Sequence, residues 1–366
     1  MSSDEHVVSL QDIEVHFETD TGIFGRDSDI VKAVDGVSLD IEENDVVALV
    51  GESGCGKTTL GKTAIGVQRP TEGQVEYRGQ DIWEARDSSG SSSIPFKQIR
   101  QSLQIIHQDP GASLNPNKTV MHTLSVPLRA TQPQMTTFDR RERIHEMLSR
   151  VGMEPPEAYS KRYPHQLSGG EKQRVALIRA LLMNPDLILA DEAVSALDVS
   201  LRIDMMDLML ELQDQFNTSY LFISHNLSNA SYVAGEADGR IGIMYLGELV
   251  ELGPVDEIVK NPKHPYTKAL MWAAPSLDPN ADADPSSPLR TIDVPDPRNP
   301  PSGCRFHTRC PEAREACKND VPGELAVDGH TDHTVTCFRE DDHHDYWHSP
   351  ELDEVSTDEA DTAASD

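Results

Sequence analysis

Long apolar runs are missing from this 366-residue sequence. No stretch approaches the ~20 apolar residues that cross a bilayer as a helix. The N-terminus, Met1-Ser2-Ser3-Asp4-Glu5-His6, lacks the basic and apolar regions of a secretory signal. The chain is therefore expected inside the cell, reaching a membrane only through other proteins. Cysteine occurs five times and aromatics make up 5% of residues. Five cysteines are too few for a disulfide scaffold at this length, so metal binding or packing is the expectation. Positive charge is also scarce: 32 Lys and Arg stand against 62 Asp and Glu, a formal net charge of −30. Phosphate contacts along a nucleic acid need a basic footprint, so no nucleic acid partner is expected. The acidity is spread along the chain as well as gathered in its tail. Acidic side chains hydrate strongly, and concentrated salt screens their mutual repulsion. We read the balance as adaptation to a salty cytoplasm, the alternative being an ordinary acidic protein with an acidic tail. The length allows one large or two moderate domains with a buried core.

Residues 7–17 and 31–41 are rich in apolar and β-branched side chains with partial alternation, and are predicted strands. Residues 45–50 form a short apolar run ending at a glycine, the pattern of a buried parallel strand. Residues 73–79 and 102–107 read as further strands. From Thr136 the pattern turns helical, with Ile144, Met147, Leu148 and Val151 at i, i+3, i+4 and i+7. A helix over 168–184 stopped by Pro185, a strand over 186–190, a helix over 199–216 and a strand over 219–224 follow. Strands alternating with helices predict an α/β fold with a mostly parallel sheet. No internal repeat is visible. A serine-rich loop (87–93), a Pro- and Asp-rich linker (277–301) and an acidic tail (340–366) stand apart.

Gly51-Glu52-Ser53-Gly54-Cys55-Gly56-Lys57-Thr58, followed by Thr59, fits G-x-x-x-x-G-K-S/T between a strand and a helix. Glycines let backbone N–H groups wrap a phosphate without Cβ clashes, and the helix N-terminus adds a favourable dipole. Lys57 is expected to reach the β- and γ-phosphates of ATP, and the Thr58 hydroxyl to ligate Mg²⁺. Leu187-Ile188-Leu189-Ala190-Asp191-Glu192 is an apolar strand ending in two carboxylates. Asp191 is placed to hold the hydrated Mg²⁺ and Glu192 to polarise an attacking water. Leu167-Ser168-Gly169-Gly170-Glu171-Lys172-Gln173-Arg174 opens a helix with free N–H groups, a second anion site or simply an N-cap.

At these residues the sequence resembles the ATP-binding subunits of ABC transporters. The resemblance makes Ser168, Gly169, Gly170 and Glu171 the signature that meets the ATP held by a partner subunit. It makes Gln108 a sensor of Mg²⁺ and of the membrane subunits. Ser195-Ala196-Leu197-Asp198 is the D-loop, with Asp198, and His225 the switch histidine that contacts the γ-phosphate. Three departures stand out: Glu171 where Gln is commoner, Ala193 where Pro usually follows Asp-Glu, and Asn226 where Asp usually follows the histidine. None removes a phosphate ligand. Phe17 and Phe24 are the candidates for stacking on adenine. Gln108-Asp109-Pro110-Gly111-Ala112-Ser113-Leu114-Asn115-Pro116, Ala33-Val34-Asp35-Gly36-Val37-Ser38 and His264-Pro265-Tyr266-Thr267-Lys268-Ala269-Leu270 resemble the oligopeptide/dipeptide importers, in the form of their second ATPase. The implied fold is a P-loop NTPase ABC ATPase core over 5–262, with a helical subdomain near 96–165. A small cysteine-bearing C-terminal domain follows over 263–340, then an acidic disordered tail over 341–366.

Cys304, Cys310, Cys317 and Cys337 follow the linker with the spacing C-x5-C-x6-C-x19-C. This matches neither the common ferredoxin nor the zinc-ribbon pattern, so the residues alone leave a metal site and loose packing both open. The resemblance implies a 4Fe–4S cluster there, with zinc as the alternative. His307, His330 and His333 are expected at the surface, the alternative being that one of them replaces a thiolate. ATP hydrolysis is expected to be largely independent of this region, which lies beyond the linker. The implied partners are a second ABC ATPase subunit, identical or not, two transmembrane permease subunits and, indirectly, an extracellular solute-binding protein. The implied place is the cytoplasmic face of the plasma membrane. A soluble relative acting in translation or DNA repair would carry two cassettes or a long coiled coil. An exporter ATPase would lack the Pro-Tyr-Thr-Lys-Ala-Leu segment and the cysteines.

Overall fold

The computed structural model describes residues 6–20, 28–87, 92–273, 289–291, 293–327 and 330–352. Its strands are β1 (His6–Asp20), β2 (Ser28–Glu42), β3 (Val46–Val50), β4 (Glu72–Tyr77), β5 (Gln80–Asp81), β6 (Leu103–Ile106), β7 (Leu187–Asp191), β8 (Ser219–Ser224), β9 (Arg240–Tyr245), β10 (Glu248–Pro254), β11 (Leu325–Val327) and β12 (His330–Val335). β3, β7 and β8 are buried at every residue, because both faces of their sheet are covered. They belong to an eight-stranded sheet ordered β11-β12-β10-β9-β3-β8-β7-β6, and the pairs from β9 to β6 run parallel.

Side chains alternate between two cores, as the two-residue period of a strand dictates. Val46, Ala48 and Val50 point to one core, with Ile188, Ala190, Tyr220 and Phe222. Val47 and Leu49 point to the other, with Leu187, Leu189, Leu221 and Ile223. The first core is closed by helices, chiefly Val120–Thr131, Thr137–Arg150, Gly169–Leu181, Val199–Phe216 and Leu227–Glu236. The second is closed by helix Lys57–Ala64 and an antiparallel sheet ordered β2-β1-β4-β5. The stripe on helix Thr137–Arg150 is as its periodicity predicts, with Ile144, Met147 and Leu148 buried. Thr136 and Asp139 close a capping box at its start.

Three boundaries differ from the expectation. Helix Phe96–Ser102 precedes β6 and packs Ile99 into the core beneath the antiparallel sheet. The helical insertion therefore begins after β6, at Pro110, rather than near residue 96. The cysteine-bearing segment does not stand off as a lobe of its own. β12 pairs antiparallel with β10, through Glu251–Val335 and Leu252–Thr334, and extends the core sheet. Tyr266 and Phe306 join the main core. Finally, the chain keeps defined structure through Leu352, into the expected tail. Tyr346 is 4% exposed and donates from its hydroxyl to the Glu312 carbonyl at 2.7 Å. Arg314 pairs with Glu351 as a β-bridge. A buried aromatic anchors this acidic stretch against the cysteine segment. Residues 353–366, 88–91 of the serine-rich loop, and 277–288 and 292 of the linker lie outside the described residues.

Candidate active site

The loop Gly51–Gly56 leaves the carboxyl edge of β3 and enters helix Lys57–Ala64. Gly54 and Gly56 have φ of +82° and +107°, a region other residues avoid, and a Cβ on Gly56 would sit 2.1 Å from the Ala33 carbonyl oxygen. The Lys57 ammonium is buried and donates to the carbonyls of Gly51 (2.8 Å) and Glu52 (2.9 Å), with the Cys55 sulfur 3.6 Å away. Burial raises the Cys55 thiol above its ordinary range, against the pull of the Lys57 charge, so it stays a neutral thiol. Thr58 donates its hydroxyl to Asp191 Oδ1 at 2.8 Å, joining two hard oxygen donors of the type Mg²⁺ takes. Thr59 lies on the same helix, its carbonyl accepting from the Thr63 hydroxyl.

Parallel pairing puts the ends of β3, β7 and β8 side by side, Val50 opposite Ser224 and Asp191 opposite Ile223. Glu192 and His225 follow directly. His225 Nδ1 lies 3.5 Å from Glu192 Oε1. Gln108 is exposed two residues past β6, the strand beside β7. The sequence-predicted residues Lys57, Thr58, Gln108, Asp191, Glu192 and His225 thus share one sheet edge.

Ser168 and Gly169 are exposed at the start of helix Gly169–Leu181. Ser168 accepts from the Glu171 N–H (3.2 Å), and its own N–H donates to Glu171 Oε2 (2.7 Å). This capping box explains how Glu takes the place of Gln at 171. Burial works against the Glu171 charge. The Ser168 bonds, the Tyr159 hydroxyl and Arg162 outweigh it and hold the carboxyl below its usual range. Among the described residues no hydrogen bond joins Ser168–Gly170 to the loop of the same chain. Asp198 N-caps helix Val199–Phe216, accepting from the Leu201 N–H at 3.1 Å. Phe17 is 40% exposed on β1, whereas Phe24 lies outside the described residues.

The four C-terminal cysteines are free thiols and line one small cavity with Phe306, His307 and Tyr346. Burial pushes Cys310 up to about 12 and Cys337 up to about 11, so the metal-free thiols are protonated. Four convergent soft donors without a disulfide fit a thiolate metal centre. His307 and His333 are buried, contrary to the surface expectation. His307 Nδ1 sits 2.8 Å from the Cys304 carbonyl oxygen, and His333 Nε2 lies 2.9 Å from Glu251 Oε1 where β12 pairs with β10. The side chain of His330 is outside the description.

Motif reading does not reveal one set of contacts, which joins the cysteine segment to the phosphate loop. Arg309, next to Cys310, donates from both terminal nitrogens to the two carboxylate oxygens of Glu52, each at 2.9 Å. The Glu52 N–H donates to the Tyr266 hydroxyl at 3.0 Å. Arg305, next to Cys304, pairs with Asp35 and with Glu248. Two segments of the sequence carry these residues: the His-Pro-Tyr segment supplies Tyr266, and residues 303–311 supply Arg305 and Arg309.

Two family models match this chain. "ABC transporter" matches residues 34–195, and "Oligopeptide/dipeptide transporter, C-terminal region" matches residues 250–317. The oligopeptide transport ATP-binding protein AppF of Bacillus subtilis is 43% identical over 321 residues, covering 88% of this chain and 94% of that protein. The di/tripeptide transport ATP-binding protein DppF of Pseudomonas aeruginosa is 41% identical over 320 residues, 87% and 94% of the two. Among solved structures, the ATP-binding cassette MJ0796, in a dimeric post-hydrolysis state bound to ADP and Pi, is 26% identical with a TM-score of 0.55. That match covers 68% of this chain and 98% of the other.

Proposed function

Because the chain belongs to the ATP-binding subunits of the oligopeptide/dipeptide ABC transporters, we propose that it hydrolyses ATP to drive uptake of peptides or similar solutes through partner permeases. The observation that carries this reading is the shared sheet edge, where Thr58 meets Asp191 at 2.8 Å and Glu192 meets His225 at 3.5 Å. The loop N–H groups and Lys57 bind the β- and γ-phosphates. Mg²⁺, held by Thr58, Gln108 and Asp191, neutralises phosphate charge when bound. Glu192 orients the attacking water and accepts its proton. His225, beside Glu192, faces the γ-phosphate. Ser168, Gly169 and Gly170, the first two of them exposed, serve the facing subunit, so two subunits close over two ATP molecules. Asp198 lies at that junction.

Such a subunit works at the cytoplasmic face of the plasma membrane, against two permeases fed by a solute-binding protein. No helix among the described residues is long and apolar enough to cross a membrane itself. Cys304, Cys310, Cys317 and Cys337 would hold a 4Fe–4S cluster. Zinc is the alternative occupant of the four thiolates.

The test is transport. Membrane vesicles carrying the chain with its co-purifying permeases should take up labelled peptide only with ATP. ATP hydrolysis without any co-purifying permease, or uptake independent of ATP, would overturn the importer reading.

A further inference from the structure

A carboxylate is electrostatically misplaced in a loop that receives a triphosphate. Glu52 is two residues past β3, in the loop whose N–H groups and Lys57 form the phosphate site, and its side chain is 30% exposed. Arg309 answers that charge. Its side chain is 3% exposed, and the guanidinium meets the Glu52 carboxylate in the two-pronged geometry that suits the pair. The turn carrying Arg309 is held from both sides. The N–H groups of Arg309 and Cys310 donate to the Phe306 carbonyl at 3.0 and 2.9 Å, and the Arg309 carbonyl accepts from the Arg290 N–H at 3.0 Å. The guanidinium also lies 5.6 Å from the Tyr245 ring centre and 5.9 Å from that of Phe306. It is fixed before any ligand arrives.

We infer that Arg309 is a positioning residue of the ATP site: by neutralising and tethering Glu52 it readies the phosphate loop for the triphosphate, and so makes the cysteine-bearing segment part of the nucleotide site. The inference rests on the reading of Gly51–Thr58 as that site. Without Arg309 the Glu52 carboxylate keeps its charge near the incoming phosphates. Like charges a few ångströms apart in partly solvated surroundings weaken binding by about tenfold.

The experiment is a double-mutant cycle on the full chain, read by the dissociation constant of a fluorescent ATP analogue and by KM and kcat. Arg309→Gln should weaken binding about tenfold, with the change falling on KM more than on kcat. On a Glu52→Gln background the same substitution should cost less than about twofold, because no charge remains to neutralise. Arg309→Lys, which keeps the charge, should recover most of the affinity. An equal cost on both backgrounds, or wild-type affinity in Arg309→Gln, overturns the inference. Should Arg309→Gln fail to fold, Arg309→Lys decides: a tenfold loss with an intact melting transition overturns neutralisation, and near-wild-type affinity supports it. A wild-type chain that does not bind the analogue would overturn the ATP-site reading itself and not the part played by Arg309.

Discussion

Glu192 carries a φ of +50°, in the left-handed region that costs a side chain bearing a Cβ about 1–3 kcal/mol. Its backbone is held there on both sides. The N–H donates to the Ile223 carbonyl at 3.1 Å, and its own carbonyl accepts from the Ser195 N–H (3.1 Å) and hydroxyl (2.9 Å). The turn separates the Glu192 carboxylate from that of Asp191, so one stays with Thr58 and the other reaches toward His225. Two carboxylates adjacent in sequence thereby take different tasks. Glu192→Gln keeps the shape and removes the base. Steady-state ATP turnover should fall about 10²–10⁴-fold while ATP binding persists and an ATP-bound dimer accumulates on size exclusion. Near-wild-type turnover would remove Glu192 from the mechanism. Lys57→Ala should act earlier in the cycle. Its ammonium already reaches the loop carbonyls of Gly51 and Glu52, and its loss leaves phosphate charge without a partner. The dissociation constant for ATP should rise. An unchanged constant would mean that the phosphate loop is misread.

Among the elements, the cysteine segment departs most from what its sequence suggests. Its own apolar cluster is small, with Ala316, Cys317, Phe338 and Tyr346 buried and Cys304 beside them. So small a cluster gains from a staple. Anaerobically purified protein should be brown and contain iron and sulfide, since thiolate-to-iron charge transfer gives colour and d¹⁰ zinc gives none. Cys310→Ser should lose the metal, while Cys55→Ser keeps it, because Cys55 packs beside Lys57 in the phosphate loop. Colourless protein with zinc, or with no metal, would dismiss the iron–sulfur assignment. The core strands were legible in the sequence because burial on both faces leaves uninterrupted apolar runs, and Ser219–Ser224 and Val199–Phe216 keep the predicted bounds. The candidate residues of the phosphate loop and of the Asp-Glu strand end are legible because phosphate chemistry fixes their pattern, whereas Gln108 and His225 come from the resemblance alone. Arg309 and Tyr266 are not legible as parts of the site. Each reaches Glu52 across more than two hundred residues, and no local pattern encodes such a contact. The helical insertion starts later than its sequence suggests for a related reason: Ile99 belongs to a core that only the tertiary fold defines.

At the scale of the whole molecule, the formal net charge is −30, and the described acidic residues lie mostly outside the core. Only two acidic residues, Asp191 and Glu251, are among the buried polar groups of the described chain. The other described acidic residues are half-buried or exposed, where salt screens them in part or in full. They also crowd. A cleft of about 530 Å³ between β2, the β9–β10 edge and β12 is lined by Asp40, Glu42, Asp45, Asp238, Glu324 and Asp332, with Arg240 as the one basic residue among its lining groups. Arg240 is committed to Asp45 at 2.6 Å. The cleft brings acidic groups of the N-terminal sheet up to those of the C-terminal strands, so their repulsion opposes the docking of one on the other. That repulsion reaches ~30 Å at 0.01 M salt and ~3 Å at 1 M. The melting midpoint should therefore rise steadily from low to molar KCl. A ligand-free sample is needed, because bound nucleotide would raise the midpoint by mass action at every salt concentration. Arginine substitution at Asp238 should flatten the low-salt end of that curve, since it supplies locally what salt supplies by screening. A midpoint that stays level or falls with KCl in the unmodified chain would separate the acidity from salt adaptation.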